Sequence, residues 1–249
     1  MAESCVLYYI TDRRQFSADE YTTRKYLLAK IREAACAGVD YIQLREKDLG
    51  TRELEALSRD AVKVLEELRS QTPNLRTALL INSRADVALA VGADGVHLRS
   101  DDISPTEIGA IWKSGYVGTA ALGCPAAQGA AAASTSARES SPPSPLIGAS
   151  CHTAGELSEA AMSGADFAVF APVFEKRGGS PAGLARLRDA CHARIPVLAL
   201  GGVTLENAQS CLEAGAAGIA AIRLFQQNQI SEVVTRLRRN SGAESMRKR

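Results

Sequence analysis

The stretch Gly38-Val39-Asp40-Tyr41-Ile42-Gln43-Leu44 combines a glycine suited to ending a helix, a short polar turn and an apolar strand. The same pattern returns three times, at residues 92–98, 164–170 and 215–221. A helix that ends and leads into a buried strand, again and again, is typical of parallel α/β proteins. Ligands of such folds bind beyond the carboxyl ends of the strands, so the residues after each copy are the first candidates for a site.

The spacing of the copies leaves room for one more strand between each pair. Short apolar runs occupy suitable places at residues 6–10, 78–81, 146–149 and 196–200. Helical patterns separate the strands, at 23–37, 51–68 with Thr51 as the cap, 104–112, 153–163, 181–193, 204–214 and 229–239. We therefore predict an α/β fold, a single (β/α)8 TIM barrel over residues 1–240, which suits the length of 249 residues. An open doubly wound sheet is the alternative.

The interval between Gly92 and Gly164 is about twenty residues longer than the other two intervals. Residues 123–145, before the fifth strand, are rich in Ala, Ser and Pro and have little apolar surface to bury. We predict a flexible surface insertion there. The polar tail, residues 241–249, is predicted to fray.

Composition excludes several classes of protein. Twenty-nine basic and 28 acidic residues give a net charge of +1, which provides no bulk attraction to nucleic acid or to an anionic membrane. No apolar run approaches the roughly 20 residues that a membrane span requires. Six cysteines without a CxxC pair are typical of buried thiols in a reducing compartment, so we expect a cytoplasmic location.

Polar residues follow the second strand. Strand alternation places Gln43 and Arg45 on one face, pointing into the barrel mouth, with Lys47 above them. Two cations and an amide suit a phosphate or diphosphate, which arginine holds bidentately. The alternative is an internal salt-bridge layer that uses Glu46 and Asp48.

The third and fourth strands end in further candidates. Asn82 suits a ligand contact, although Asn82 or Ser83 could instead cap the next helix. Asp101 and Asp102 could hold Mg²⁺ through carboxylate oxygens, or could only stabilise the start of the following helix. His97 lies inside a strand, where a packed, hydrogen-bonded histidine is more common than a catalytic one.

The later strands offer different chemistry. His152, after the fifth strand, could act as a general acid or base, and Thr153 is typical of a helix cap. A basic loop at residues 175–180 follows the sixth strand and could close over a ligand. Gly201 and Gly202 follow the seventh strand, where barrels often bind phosphate through backbone N–H groups.

The chain resembles the thiamine-phosphate synthase family, including its thiazole tautomerase branch (TenI). The resemblance rests on the ranges 9–12 (YITD), 43–47 (QLREK), 93–98 (ADGVHL) and 200–203 (LGGV), and it spans nearly the whole chain outside the insertion and the tail. It implies a TIM barrel that joins an aminopyrimidine methyl diphosphate to a thiazole ethyl phosphate with release of diphosphate, aided by Mg²⁺. It also implies phosphorylated pyrimidine and thiazole ligands and a homodimer.

By the resemblance, Gln43, Arg45, Lys47 and Asn82 would contact the pyrimidine diphosphate, and Asp102 matches a metal ligand. Ser150 would lie near the reacting pyrimidine. Gly202 and Ile222 would face the thiazole phosphate. Arg223 stands where the family has a serine near that phosphate, and it could add a phosphate-binding charge or block the site.

Two further departures concern the chemistry. Ser83 replaces an aspartate that serves as the second metal ligand, and the loop at 175–180 lacks the Thr-x-Thr-Lys motif of the synthases. His152 matches the catalytic histidine of the tautomerase branch, but the loop lacks that branch's cysteine. We predict a thiamine-phosphate synthase-type transferase. A thiazole phosphate tautomerase and a non-catalytic barrel that binds a phosphate ligand are the alternatives.

Overall fold

The computed structural model describes residues 5–16, 18–121, 144–174 and 181–247, without the side chains of 115–121 and 240–247. Eight parallel strands pair in chain order, and β1 pairs with β8, so the sheet closes into a barrel. The strands are β1 Val6–Ile10, β2 Tyr41–Leu44, β3 Ala78–Asn82, β4 Gly95–Leu98, β5 Leu146–Cys151, β6 Phe167–Phe170, β7 Val197–Ala199 and β8 Gly218–Ala221. The predicted TIM barrel is confirmed.

Helices connect the strands and cover the outside of the barrel. They are α1 Glu20–Ala37, α2 Thr51–Gln71, α3 Ala85–Val91, α4 Pro105–Ala121, α5 Ala154–Met162, α6 Gly183–Ala190, α7 Ala208–Glu213, α8 Arg223–Gln226 and α9 Ile230–Arg247, with a short 3₁₀ turn at Arg13–Gln15. Strand residues such as Ile42, Leu44 and Val96 pack outward against the buried faces of these helices and form the larger core. No helix among the described residues combines the length and the apolarity needed to cross a lipid bilayer.

A second, smaller core fills the barrel itself. Tyr8, Leu80, Phe167, Val169 and Leu198 point inward from four different strands and are almost fully buried. Tyr41 stacks on Phe167 with the ring centroids 4.9 Å apart. Because this layer closes the interior below, a ligand can enter only from the carboxyl ends of the strands.

The repeated glycines end helices in left-handed backbone conformations. Gly38 (φ 85°) and Gly92 (φ 71°) cap α1 and α3, and their N–H groups bond to carbonyls of the last helical turn. Gly164 and Gly215 also have positive φ. A side chain is strained in this region, which explains why glycine opens all four copies.

Two predictions about helix ends need correction. Thr51 is the first residue of α2 rather than its cap, because Gly50 holds the cap position and Glu53 accepts a hydrogen bond from its N–H. Helix α4 runs to Ala121 rather than ending near Trp112. Helix α9 continues to Arg247, and the fraying of the tail after Asn240 stays a prediction. The insertion predicted at 123–145 lies almost wholly outside the described residues.

Candidate active site

A cavity of about 720 Å³ opens at the carboxyl ends of the strands. Ten of the eleven predicted site residues line it, drawn from five strand ends: Gln43, Arg45, Lys47, Asn82, Ser150, His152, Gly201, Gly202, Ile222 and Arg223. Asp102 is not among the lining residues, although Asp101 is. The fold therefore brings together at one mouth groups that lie up to 180 positions apart in the sequence.

Gln43 is a buried polar side chain at the floor of the cavity. Its Nε2 donates to Asn82 Oδ1 over 2.8 Å, and Asn82 Nδ2 donates to Ser83 Oγ over 3.1 Å. Gln43 Oε1 has no hydrogen-bonding partner within the described part of the chain, although the residue is only 2% exposed. A buried acceptor without a donor is costly in the free protein, so Gln43 is suited to accept a hydrogen bond from a ligand.

The end of β2 is anchored by a polar network on its outer side. The buried Glu46 accepts hydrogen bonds from the Thr11 hydroxyl (2.6 Å) and from the backbone N–H of Arg13 (3.0 Å). The Arg13 guanidinium contacts both Glu46 and Asp48. Burial raises the pKa of Glu46, and these hydrogen bonds partly offset that effect. The two carboxylates of the predicted salt-bridge layer thus bond to Arg13, whose role the sequence analysis missed.

This anchoring directs the neighbouring cations toward the cavity. The Arg45 backbone N–H donates to Thr11 Oγ1 over 3.0 Å, so one hydroxyl connects Arg45 with Glu46. Burial lowers the pKa of Arg45, and the carboxylates of Asp12 and Glu46 oppose that shift. Arginine nevertheless stays charged in proteins, and Arg45 therefore presents a half-buried cation to a ligand.

His97 connects the barrel core to the cavity. Its Nδ1 lies 3.0 Å from Tyr8 Oη and its Nε2 lies 2.8 Å from Ser150 Oγ. Burial lowers the pKa of His97 to about 3, and the positive charge of Arg45 acts in the same direction. The imidazole is therefore neutral at physiological pH.

The tautomer of His97 follows from the buried tyrosine. Burial raises the pKa of Tyr8, so its hydroxyl keeps its proton. Among the described residues, the acceptor for that proton is His97 Nδ1, so the Tyr8 hydroxyl donates to it. Nε2 then carries the hydrogen and donates to Ser150 Oγ, which leaves the Ser150 hydroxyl proton available to a ligand in the cavity.

His152 lies on the rim of the cavity. Its Nδ1 is 2.6 Å from the carbonyl oxygen of Ala171, which can only accept, so Nδ1 carries the hydrogen and Nε2 offers a lone pair. The adjacent Cys151 is buried in the outer core, and burial raises the pKa of its thiol to about 12. Strand alternation predicts that Cys151 and His152 point to opposite faces. Cys151 therefore does not act as an acid or base beside His152. Thr153 caps α5 as expected.

The loops after β7 and β8 form another part of the cavity wall. Gly201 has φ 98°, and a Cβ there would lie 2.8 Å from the Cα of Pro172. The carbonyl of Gly202 accepts a hydrogen bond from Asn207 Nδ2, which fixes the loop. Arg223, exposed at the start of α8, lines the same cavity. Exposed backbone beside a cation suits an anionic group such as phosphate.

The predicted metal ligand has a different partner. Asp102 Oδ2 accepts from the backbone N–H of Arg99 over 2.8 Å, and Oδ1 lies 3.5 Å from Arg99 Nε. Ser83 offers only a neutral hydroxyl, which is a weak ligand for a hard dication. The described residues contain no cluster of three His, Cys, Asp or Glu side chains able to hold a metal ion. The donor set does not fit a magnesium ion held by the protein.

Comparison with known proteins shows the family of the chain. The family model described as "Thiamine monophosphate synthase" matches residues 7–136 and 127–225. The chain belongs to the thiamine monophosphate synthase family. It is 38% identical to a putative thiamine-phosphate synthase of Geobacter sulfurreducens, over 87% of this chain and 84% of that protein. It is 34% identical to the thiamine-phosphate synthase of Pyrococcus horikoshii, over 88% and 86%.

Solved structures extend the comparison. The thiamine phosphate pyrophosphorylase from Pyrococcus furiosus superposes with a TM-score of 0.69 at 27% identity, covering 97% of this chain and 98% of that one. A 3-hexulose-6-phosphate synthase matches at 17% identity with a TM-score of 0.54, a likeness that shows the fold alone.

Within this family barrel, the sequence analysis assigned no role to two charged residues that line the cavity, Arg99 and Asp12. Arg99 follows β4 in the way that Arg45 follows β2, so its position at a strand end was an available signal. Asp12 follows β1 and also lines the cavity. The loop at 175–180, predicted to close over a ligand, lies outside the described residues.

Proposed function

We propose that this enzyme is a thiamine-phosphate synthase that joins an aminopyrimidine methyl diphosphate to a thiazole ethyl phosphate. The observation that carries the proposal is the single cavity lined both by Gln43, Arg45 and Lys47 and by the Gly201–Gly202 and Ile222–Arg223 loops. Two groups of residues suited to anions would bind the two phosphorylated substrates beside each other. The membership of the chain in the family supports this assignment.

In the proposed reaction the bond between the pyrimidine methylene carbon and the diphosphate oxygen breaks, and diphosphate leaves with the electron pair. The lone pair of the thiazole nitrogen then forms the new carbon–nitrogen bond. Arg45 and Lys47 would stabilise the negative charge that develops on the leaving group, which is the main electrostatic requirement of this step. Holding the two substrates side by side further lowers the activation barrier of this step.

The cavity floor would position the pyrimidine. Gln43 Oε1 is a buried acceptor, and the amino group of the pyrimidine would supply the hydrogen bond that it lacks. The Ser150 hydroxyl, oriented by His97, would donate to the same ring or to the leaving group. Gly202 and Arg223 would bind the thiazole phosphate through backbone N–H groups and a guanidinium.

One assay tests this function. The purified protein is mixed with both phosphorylated substrates, with Mg²⁺ supplied so that the result does not depend on an ion requirement. We expect thiamine phosphate and diphosphate to form in equal amounts. Absence of both products, together with tight binding of the thiazole phosphate, would contradict the synthase proposal and leave a tautomerase or a binding protein.

A tautomerase remains the second candidate, because His152 offers a free Nε2 at the rim of the cavity. An imidazole whose Nδ1–H is fixed by a carbonyl is suited to moving a proton on a thiazole ring through Nε2. An isomerisation assay decides: activity that is lost in His152→Ala supports the tautomerase, whereas thiamine phosphate formation that persists in this variant supports the synthase.

A further inference from the structure

We propose that Arg99 supplies, as a resident cation, the positive charge that the family resemblance assigns to magnesium, so that this chain binds diphosphate without a divalent ion. The inference rests on the proposed function, since it concerns the diphosphate end of the same cavity. It makes Arg99 a ligand-binding residue that neither the repeat nor the family motifs indicate.

Arg99 lies beside Asp101 and Asp102, the two carboxylates that were predicted as candidates for a metal. It follows the last residue of β4 and lines the cavity together with Arg45 and Lys47. Its Nη2 donates to Asp101 Oδ2 over 2.9 Å, and its Nε lies 3.5 Å from Asp102 Oδ1. Both aspartates are thus paired with a cation that belongs to the chain.

The position of Asp102 is also fixed through the backbone. Its Oδ2 accepts from the Arg99 N–H, so the carboxylate closes the turn between Arg99 and Asp102. A dication at Asp102 would have to displace the guanidinium and share the carboxylate with this N–H. The other side of the predicted metal site carries Ser83, whose hydroxyl already accepts from Asn82 Nδ2.

The guanidinium keeps capacity for an anion. Arginine has five N–H donors, and the contacts to Asp101 and Asp102 involve only Nη2 and Nε. The Arg99 side chain is 49% exposed and lines the cavity, which leaves donors for a ligand there. Guanidinium groups form charge-assisted, often bidentate, bonds to phosphate oxygens.

Arg45 and Arg99 line the same cavity. After burial, the charge of Arg99 is a small further cause that lowers the pKa of Arg45, in the direction expected of two like charges. An anion bound between them removes this repulsion and gains an attraction to each. Diphosphate, with its high charge and two phosphoryl groups, matches such a pair.

The test measures inorganic diphosphate binding by isothermal titration calorimetry, once with excess EDTA and once with Mg²⁺. We expect the wild-type protein to bind diphosphate in EDTA, with an affinity that Mg²⁺ changes by less than about threefold. Arg99→Gln should weaken binding in EDTA by roughly tenfold or more, the effect expected for a lost charge-assisted hydrogen bond. Arg99→Lys, which keeps the charge, should lose less.

Arg59→Gln is the matched control, because Arg59 is an exposed arginine that pairs with Glu55 on α2 and does not line the cavity. Its affinity for diphosphate should equal that of the wild type. Circular dichroism of each variant verifies that the barrel is folded. Electron paramagnetic resonance with Mn²⁺ as the probe gives a second readout: the protein with diphosphate should retain no more Mn²⁺ than diphosphate alone.

Three results would overturn the inference. Binding that requires Mg²⁺ would contradict it while leaving the synthase proposal intact. Equal affinities of wild type and Arg99→Gln in EDTA would remove Arg99 from the site. Failure to bind diphosphate under both conditions would contradict both this inference and the assignment of the Arg45 and Lys47 end of the cavity.

Discussion

At the scale of single residues, Gln43 shows how a buried side chain can be reserved for a ligand. Its amide nitrogen is satisfied by Asn82, whereas its oxygen has no donor within the described structure. An unmet buried acceptor costs about 1–3 kcal/mol. A ligand that donates to Oε1 recovers this free energy, and one that offers an acceptor there does not, so Gln43 favours N–H groups over carbonyls at the cavity floor.

Arg45→Ala tests the diphosphate site at this scale. We expect the affinity for inorganic diphosphate to fall by about 1.5–3 kcal/mol, the usual contribution of a hydrogen bond to a charged group. Isothermal titration calorimetry measures the change, with Arg59→Ala as the control outside the cavity. An unchanged dissociation constant would show that Arg45 does not bind the ligand.

The sequence predicts the direction of a side chain only where the backbone conformation alone sets it. Strand alternation sets the face of Gln43 and Arg45, and both line the cavity. The pairing of Glu46 with Arg13, and of Asp102 with Arg99, depends instead on which loops the closed barrel brings together. No spacing in the chain carries that information, so the acidic residues were assigned to other partners.

At the scale of secondary-structure elements, the aspartates of the repeated phrase connect consecutive βα units. Asp40, Asp94 and Asp166 each accept a hydrogen bond from a backbone N–H near the start of the preceding odd-numbered strand, at Leu7, Leu79 and Ile147, over 2.7–2.8 Å. Each carboxylate therefore holds the amino-terminal end of one strand beside the start of the next. The fourth copy has Ala217 in this place.

Asp166→Ala should destabilise the barrel by about 1–3 kcal/mol, because the N–H of Ile147 loses its charged acceptor. Asp166→Asn, which keeps a carbonyl oxygen, should lose less. Urea unfolding followed by circular dichroism measures both changes, with the exposed Asp189→Ala as a control. If Asp166→Ala unfolds at the same urea concentration as the control, the aspartate does not hold the strand.

Element boundaries were predicted less well than the elements themselves. Apolar runs located all eight strands because burial on both faces needs them. Helix ends depend on weaker signals: α7 begins at Ala208 rather than near Thr204, since Asn207 Oδ1 accepts from the Thr204 N–H and holds a turn there. Side-chain hydrogen bonds of this kind compete with helix formation, and a single sequence does not reveal which of the two has the lower free energy.

At the scale of the whole molecule, His97 makes stability depend on pH. Its pKa is lowered to about 3 in the folded state, whereas an unfolded histidine titrates near 6.5. Below about pH 6.5 the unfolded chain therefore binds one more proton than the folded chain at this site. The free energy of unfolding consequently decreases as the pH is lowered from about 6.5 toward 3, by roughly 1.4 kcal/mol per pH unit.

The measurement compares urea unfolding of the wild type and His97→Gln between about pH 7.5 and pH 5. We expect the stability of the wild type to fall more steeply than that of the variant below about pH 6.5. Glu46 has a raised pKa, so its folded form holds a proton more tightly and its effect on stability has the opposite sign. Because Glu46 is present in both proteins, its contribution cancels in the comparison. Parallel slopes would show that His97 titrates normally.

The overall architecture was the most predictable level. Four copies of one phrase at near-equal spacing define a repeating βα unit, and the length allows eight of them. Eight such units form a closed barrel, in which β1 pairs with β8. The reaction is less accessible from sequence, because it depends on a few mouth residues, and several of these differ from the family pattern.

The anchoring of Glu46 by Arg13 has a kinetic consequence. With that carboxylate held on the outer side of β2, the cavity is lined by four cationic side chains, Arg45, Lys47, Arg99 and Arg223, and by two carboxylates, Asp12 and Asp101. A protein with a net charge of only +1 thereby concentrates positive potential at this cavity. Phosphorylated substrates should be drawn to the mouth, and their association rates should fall as ionic strength rises, while dissociation changes little.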